Sequence, residues 1–156
     1  MNTRQEKQRR KSAARLYAVQ ALFQMEASGT GIDKIIQEFE THRFGADLDG
    51  DQFEEGDPEH FRTIVENALS HQARIDQLTD KALVDNWPID RIDPTIRALF
   101  RASASELISM DTPPKVVINE YVEIARAFFP TGREPKFSNA VLDYMARDLR
   151  PEGFKS

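Results

Sequence analysis

Apolar residues in this 156-residue chain recur at intervals of three and four, and no stretch alternates with period two between turn dipeptides. A period of 3.6 marks an amphipathic helix and a period of two a half-buried strand, so the pattern leaves no place for a sheet. The clearest case is residues 113–149. Val117, Tyr121, Ile124, Ala125 and Phe128 lie on one helical face, and Phe137, Ala140, Val141, Tyr144 and Met145 lie on another. Pro130, Gly132 and Pro135 enforce a stop and a restart between them. Pro135 suits the first helical position, where a missing N–H costs nothing.

The rest of the chain follows the same pattern. Leu16, Val19 and Phe23 set a stripe over residues 11–27, stopped by Ser28, Gly29 and Gly31. Ile35, Ile36 and Phe39 set a short helix over 33–41. Asp57-Pro58 and Asp93-Pro94 each pair an N-cap acid with a proline that suits the first helical turn. The first opens one long helix running to about residue 84, and the second opens one carrying Ile96, Leu99, Phe100, Ser103 and Leu107. Trp87-Pro88 is the seam between the halves. The expected architecture is all-α, a compact bundle of about six or seven helices in two subdomains, residues 13–85 and 86–150. A basic, flexible arm (1–12) and a flexible tail (151–156) flank it.

The chain has no cysteine, so disulfides and thiolate metal sites are excluded. No apolar run approaches the roughly 18 residues that span a bilayer, and no signal sequence is recognisable, so a cytoplasmic protein without membrane contact is expected. The net charge of −5 conceals an asymmetry. Within residues 1–15, Arg4, Lys7, Arg9, Arg10, Lys11 and Arg15 face Glu6 alone, a local charge of +5 on an acidic body. Such an arm is either a nucleic-acid or acidic-partner contact or a solubilising tail.

A second candidate site is the start of the last helix. Lys136 and Phe137 fall in its first turn, beside free N–H groups and the positive end of the helix dipole. A cation, a ring and several donors can hold a phosphate and stack a base. Equally, Phe137 can be the first core residue of the helix and Lys136 a solvated neighbour. Enzymatic chemistry finds little support. His42, His60 and His71 show no metal-ligand spacing, His71 reads as solvated, and Glu120 and Glu123 read as ordinary charges on an exposed face. Asp47, Asp49 and Asp51 alternate as in a calcium loop, but Gln52 and Pro58 stand where glycine and glutamate are required. No cofactor is expected.

The segments ARLYAVQALFQMEASG, DPTIRALFRASASEL, PPKVVINEYVEIARAFF and KFSNAVLD, in this order and spanning about residues 13–150, resemble the NusB family of bacterial transcription antitermination factors. The resemblance implies an all-helical fold, pairing with NusE (a small-subunit ribosomal protein) and binding of single-stranded boxA RNA. It also implies action on the RNA polymerase elongation complex, through other Nus factors, to promote read-through in ribosomal RNA operons. Carried onto this chain, the RNA contacts are Arg9, Arg10, Lys11 and Arg15 with Lys136, Phe137 and Asn139, and the NusE surface includes Phe23 and Asp90. A second copy of the chain is an alternative occupant of the exposed apolar surface on the first helix.

Three departures bear on this. The usual K-F-V-N-G is K-F-S-N-A here, so Ser138 adds a donor near the expected phosphate and Ala140 a better helix former than glycine. Ser105 replaces a frequent tyrosine beside Glu106, which puts local packing in question. The basic residues before the first helix form no uninterrupted arginine run. Two other readings compete. One is a scaffold that binds a ribosomal protein and little RNA. The other follows from a resemblance of the same helical domain to the N-terminal part of an rRNA cytosine methyltransferase, whose catalytic cysteines this chain lacks.

Overall fold

The structure, a computed structural model, describes residues 3–48, 51–52, 54–83 and 92–154. Seven α-helices account for most of them: α1 (Arg4–Ser28), α2 (Ile32–His42), α3 (Pro58–Ser70), α4 (Gln72–Ala82), α5 (Pro94–Ser109), α6 (Pro114–Phe128) and α7 (Glu134–Leu149). The sole β-pairing among the described residues is a two-residue antiparallel ladder, Asp47–Leu48 against Asp51–Gln52, inside the acidic loop. The all-α expectation holds. Trp87-Pro88 lies outside the described residues.

Three boundaries differ from the periodicity. The first helix begins at Arg4, about two turns before its apolar stripe, so the basic segment is wound into α1 and is no separate arm. Thr3 and Glu6 form a capping box there, Thr3 Oγ1 accepting the Glu6 N–H at 3.1 Å, which starts a helix where no core face requires one. The single long helix after Pro58 is two, broken at His71 (φ −113°, ψ 15°). Around the break Asn67 Nδ2 and Ser70 Oγ donate to carbonyls one turn back, and His71 Nδ1 lies 3.1 Å from the Asn67 carbonyl. Such back-bonding competes with the helical ladder and bends it, and α4 is thereby turned to pack on α5 and α7. The tail is not free either: residues Pro151–Phe154 form a 3-10 turn, and a Cβ on Gly153 would come within 2.5 Å of the Pro114 ring.

α5 is the centre of the bundle, packed against α1, α3, α4, α6 and α7. Its sequence allows this because Ala98, Ala102, Ser103, Ala104 and Ser105 keep the helix thin and let neighbours approach from every side. Ser105 answers the packing question raised above. It is buried, and its hydroxyl donates to the Ile64 carbonyl of α3 at 2.6 Å. A second cluster, Tyr17, Phe39, Phe44 and Phe61, joins α1, α2 and α3 with ring centroids 4.8 to 6.3 Å apart.

Ion pairs set the register of the long helices. Arg15 of α1 meets Glu106 of α5 at one end, and Glu26 meets Arg97 and Arg101 at the other, so α1 and α5 run antiparallel. α6 runs alongside α1 in the same direction, with Glu120 bound to Arg15 and Phe128 beside Phe23. α7 returns antiparallel to α6, and its end is fastened where the Arg150 guanidinium donates to the Met110 carbonyl at 2.9 Å.

Candidate nucleic-acid interface

The basic residues of α1 fall into two groups. Arg9 and Arg10 are exposed and Lys11 half-buried, and none forms an ion pair with a described residue. The segment is held from below, since the Asp57 N–H donates to the Arg10 carbonyl at 3.0 Å. A capped, anchored helix thus presents three unpaired cations, a geometry suited to a phosphate backbone.

Arg15, expected with them, is 2% exposed and points into the bundle. Its Nε and Nη2 donate to Glu106 at 2.9 Å each, and Nη1 donates to Glu120 at 2.5 Å. Tyr121 Oη and Thr112 Oγ1 also donate to Glu106, each at 2.9 Å, and His60 Nε2 lies 3.2 Å from it. Ser12 Oγ donates to Glu120 at 2.6 Å. The two glutamates hold α1 against α5 and α6. Burial alone would raise the Glu106 carboxyl, but hydrogen bonds from His60 and Arg15 and the charge of Arg15 outweigh it and hold it at about 2. Periodicity did not single out this network, and Glu120 is no ordinary surface charge. One signal was there: Glu106 follows Ser103 by three residues, inside the apolar stripe of its helix.

At the start of α7, the geometry of the corner is as expected in part. Lys136 and Asn139 are exposed in the first turns, and α7 begins at Glu134, which leaves Pro135 in second place. Phe137 is half-buried, its ring 6.0 Å from that of Phe100 and tilted by 57°, so it serves the core with one side and solvent with the other. Ser138 departs from expectation. It is 0% exposed, it faces the core with Val141 and Leu142, and its hydroxyl has no partner among the described residues. It offers nothing to a phosphate.

The two groups of cations do not share one patch. Phe100 stands at the level of Arg97 and Arg101, which grip Glu26. From Arg15 to Glu26 α1 climbs roughly 17 Å. The Lys136–Phe137 corner therefore sits at the opposite end of the bundle from Arg9, Arg10 and Lys11. Between them, α1 and α6 enclose a groove of about 680 Å³ lined by Arg9, Leu16, Arg43, Ile124 and Ala127 among others. Arg43 and Gln20 carry it into a second hollow of about 400 Å³, walled by Phe23 and Phe128. Phe23 is 40% exposed and Phe128, expected in the core, is 38% exposed. Asp90 lies outside the described residues. No group of acidic, histidine or cysteine side chains able to hold a metal ion occurs among the described residues, and no described helix is long and apolar enough to cross a membrane.

The NusB family model matches residues 12–147. Similar chains include a transcription antitermination protein NusB of Agrobacterium fabrum, 48% identical over 143 residues, 91% of this chain and 86% of that one. Another of the same name, from Sinorhizobium fredii, is 48% identical over 91% of this chain and 89% of its own. Among solved structures, T. maritima NusB superposes with a TM-score of 0.73 at 27% identity, covering 92% of this chain and 96% of that one. The fold recurs in a structure of antitermination factors NusB and NusE in complex with dsRNA, with a TM-score of 0.72, 23% identity, and 90% and 98% of the two chains covered.

Proposed function

The chain belongs to the NusB family, and on that footing we propose that it is a cytoplasmic transcription antitermination factor that binds single-stranded boxA-type RNA together with NusE. In this reading it promotes read-through by RNA polymerase in ribosomal RNA operons, in company with other Nus factors. It performs no chemistry on the RNA. The observation that carries the reading is the unpaired basic end of α1, Arg9, Arg10 and Lys11, on a chain whose net charge is −5. The RNA contacts are these three with Lys136, Phe137 and Asn139, while Arg15 orients the helix that carries them. NusE occupies the hollow walled by the exposed rings of Phe23 and Phe128, and in this reading it also contacts Asp90.

The test is a fluorescence-anisotropy titration of a boxA-like RNA dodecamer at several salt concentrations, with and without NusE. Four cations on a single strand give a log–log salt slope near −3. Salt-sensitive binding tightened by NusE is the expected result. Absence of RNA binding at every salt, with NusE still bound, would replace this reading with that of a protein-binding scaffold.

A further inference from the structure

We propose that the outer face of α7 continues the RNA surface away from its N-terminal corner, with Tyr144 as a second stacking platform and Arg147 as a second phosphate contact. The proposal rests on the RNA reading above and extends it to residues outside the K-F-S-N segment.

The three tyrosines of the chain are not equivalent. Tyr17 and Tyr121 are buried, and their hydroxyls donate to Glu54 O at 2.7 Å and Glu106 at 2.9 Å. Tyr144 is 46% exposed and has no hydrogen-bond partner among the described residues. Burial and polar satisfaction explain the first two and leave the third without a structural task. It stands two turns after Phe137, on the same side of α7, with the rings roughly 10 Å apart along the axis. A lone exposed ring needs no explanation. This one belongs to a stripe.

Lys136, Phe137, Ala140, Tyr144 and Arg147 occupy one third of the helix circumference, at offsets of one, four, eight and eleven from the first. Two rings, with a cation beyond each along the axis, thus lie about a small residue that leaves the backbone approachable. Asp143 and Asp148 flank the stripe. Asp143 accepts from Arg147 Nε at 2.9 Å, an exposed i, i+4 pair that a phosphate can displace at little cost. The Arg147 guanidinium also lies over the Phe154 ring, 4.4 Å from its centroid, which steadies it without using its outward donors. Rings for bases interleaved with cations for phosphates is how proteins hold single-stranded nucleic acid. A protein partner would make less use of two outward cations beside two partly exposed rings.

The experiment compares wild type, Tyr144→Ala, Tyr144→Phe, Arg147→Gln and Lys136→Gln in dodecamer titrations, with thermal melts to verify folding and a parallel NusE titration. Tyr144→Ala should weaken RNA binding roughly tenfold, and Tyr144→Phe, which keeps the ring, should restore it. Arg147→Gln should reduce the salt slope by about 0.7. If Lys136→Gln weakens binding while Tyr144→Ala leaves it unchanged, the extension is wrong and the corner stands. A Tyr144→Ala defect confined to NusE binding would make this face a protein site and overturn the proposal. RNA binding by no variant, wild type included, would remove both the proposal and the reading beneath it.

Discussion

The two ends of the bundle present cations in opposite ways. At the N-terminal end a buried carboxylate, Glu106, gathers Arg15, His60, Tyr121 and Thr112, and Glu120 adds Ser12. The exposed cations of α1 ride on this frame. At the α7 end no buried carboxylate plays that part among the described residues: the partly exposed Glu26 pairs with Arg97 and Arg101 nearby, Phe137 leans on Phe100, and the buried Ser138 hydroxyl has no described partner. One end is set by a buried polar network and the other by ring packing beside ion pairs at the surface. An arginine can therefore belong to a basic segment in sequence and to the core in space, which is the case of Arg15.

Breaking the network should have the largest effect. Glu106→Ala leaves the buried Arg15 without its main partner and should cost about 3–5 kcal/mol in urea denaturation, whereas Lys136→Ala, on an exposed cation without an ion pair, should stay within about 0.5 kcal/mol. A smaller and more graded effect is expected from acid. The Glu106 carboxyl is depressed to about 2 from an ordinary 4.5, so its stabilisation is complete above pH 4.5 and is lost as pH falls toward 2. The loss should be of order 3 kcal/mol in the wild type, and Glu106→Gln should flatten the acid limb of the stability profile.

At the other end the sign reverses. Ser138→Ala removes a buried hydroxyl that has no described partner and should stabilise by about 1 kcal/mol, seen as a raised urea midpoint with an unchanged slope. The smallest effect sharpens the contrast in function. Lys136→Gln should lower the salt slope of RNA binding by about 0.7, while the conservative Arg15→Lys should leave it unchanged even where affinity falls. An equal loss of slope from both substitutions would mean that Arg15 reaches the RNA.

Much of the fold was readable along the chain, since periodicity and Asx-Pro starts are local signals. Asp57-Pro58 and Asp93-Pro94 each begin a helix, and Gly29, at φ 73°, ends α1. The break at His71 was hidden because the apolar stripe runs on through it from Ala68 to Ile75. The site was less readable. Charge composition identified a basic segment and cannot say which of its members turns inward.

The sequence alone determined the helical class, the punctuation of most helices, the basic first segment and the family resemblance, because each of these resides in residues near one another along the chain. Only the tertiary structure decided that Arg15 is internal and Glu120 its partner. It alone also set Ser138 in the core, and Phe23 and Phe128 on two sides of one hollow. These outcomes depend on contacts across a hundred residues or more, such as Arg15 with Glu120 and Ser12 with Glu120. Whether a side chain is paired or solvated is settled by what another helix brings opposite it, and spacing within one helix carries no record of that.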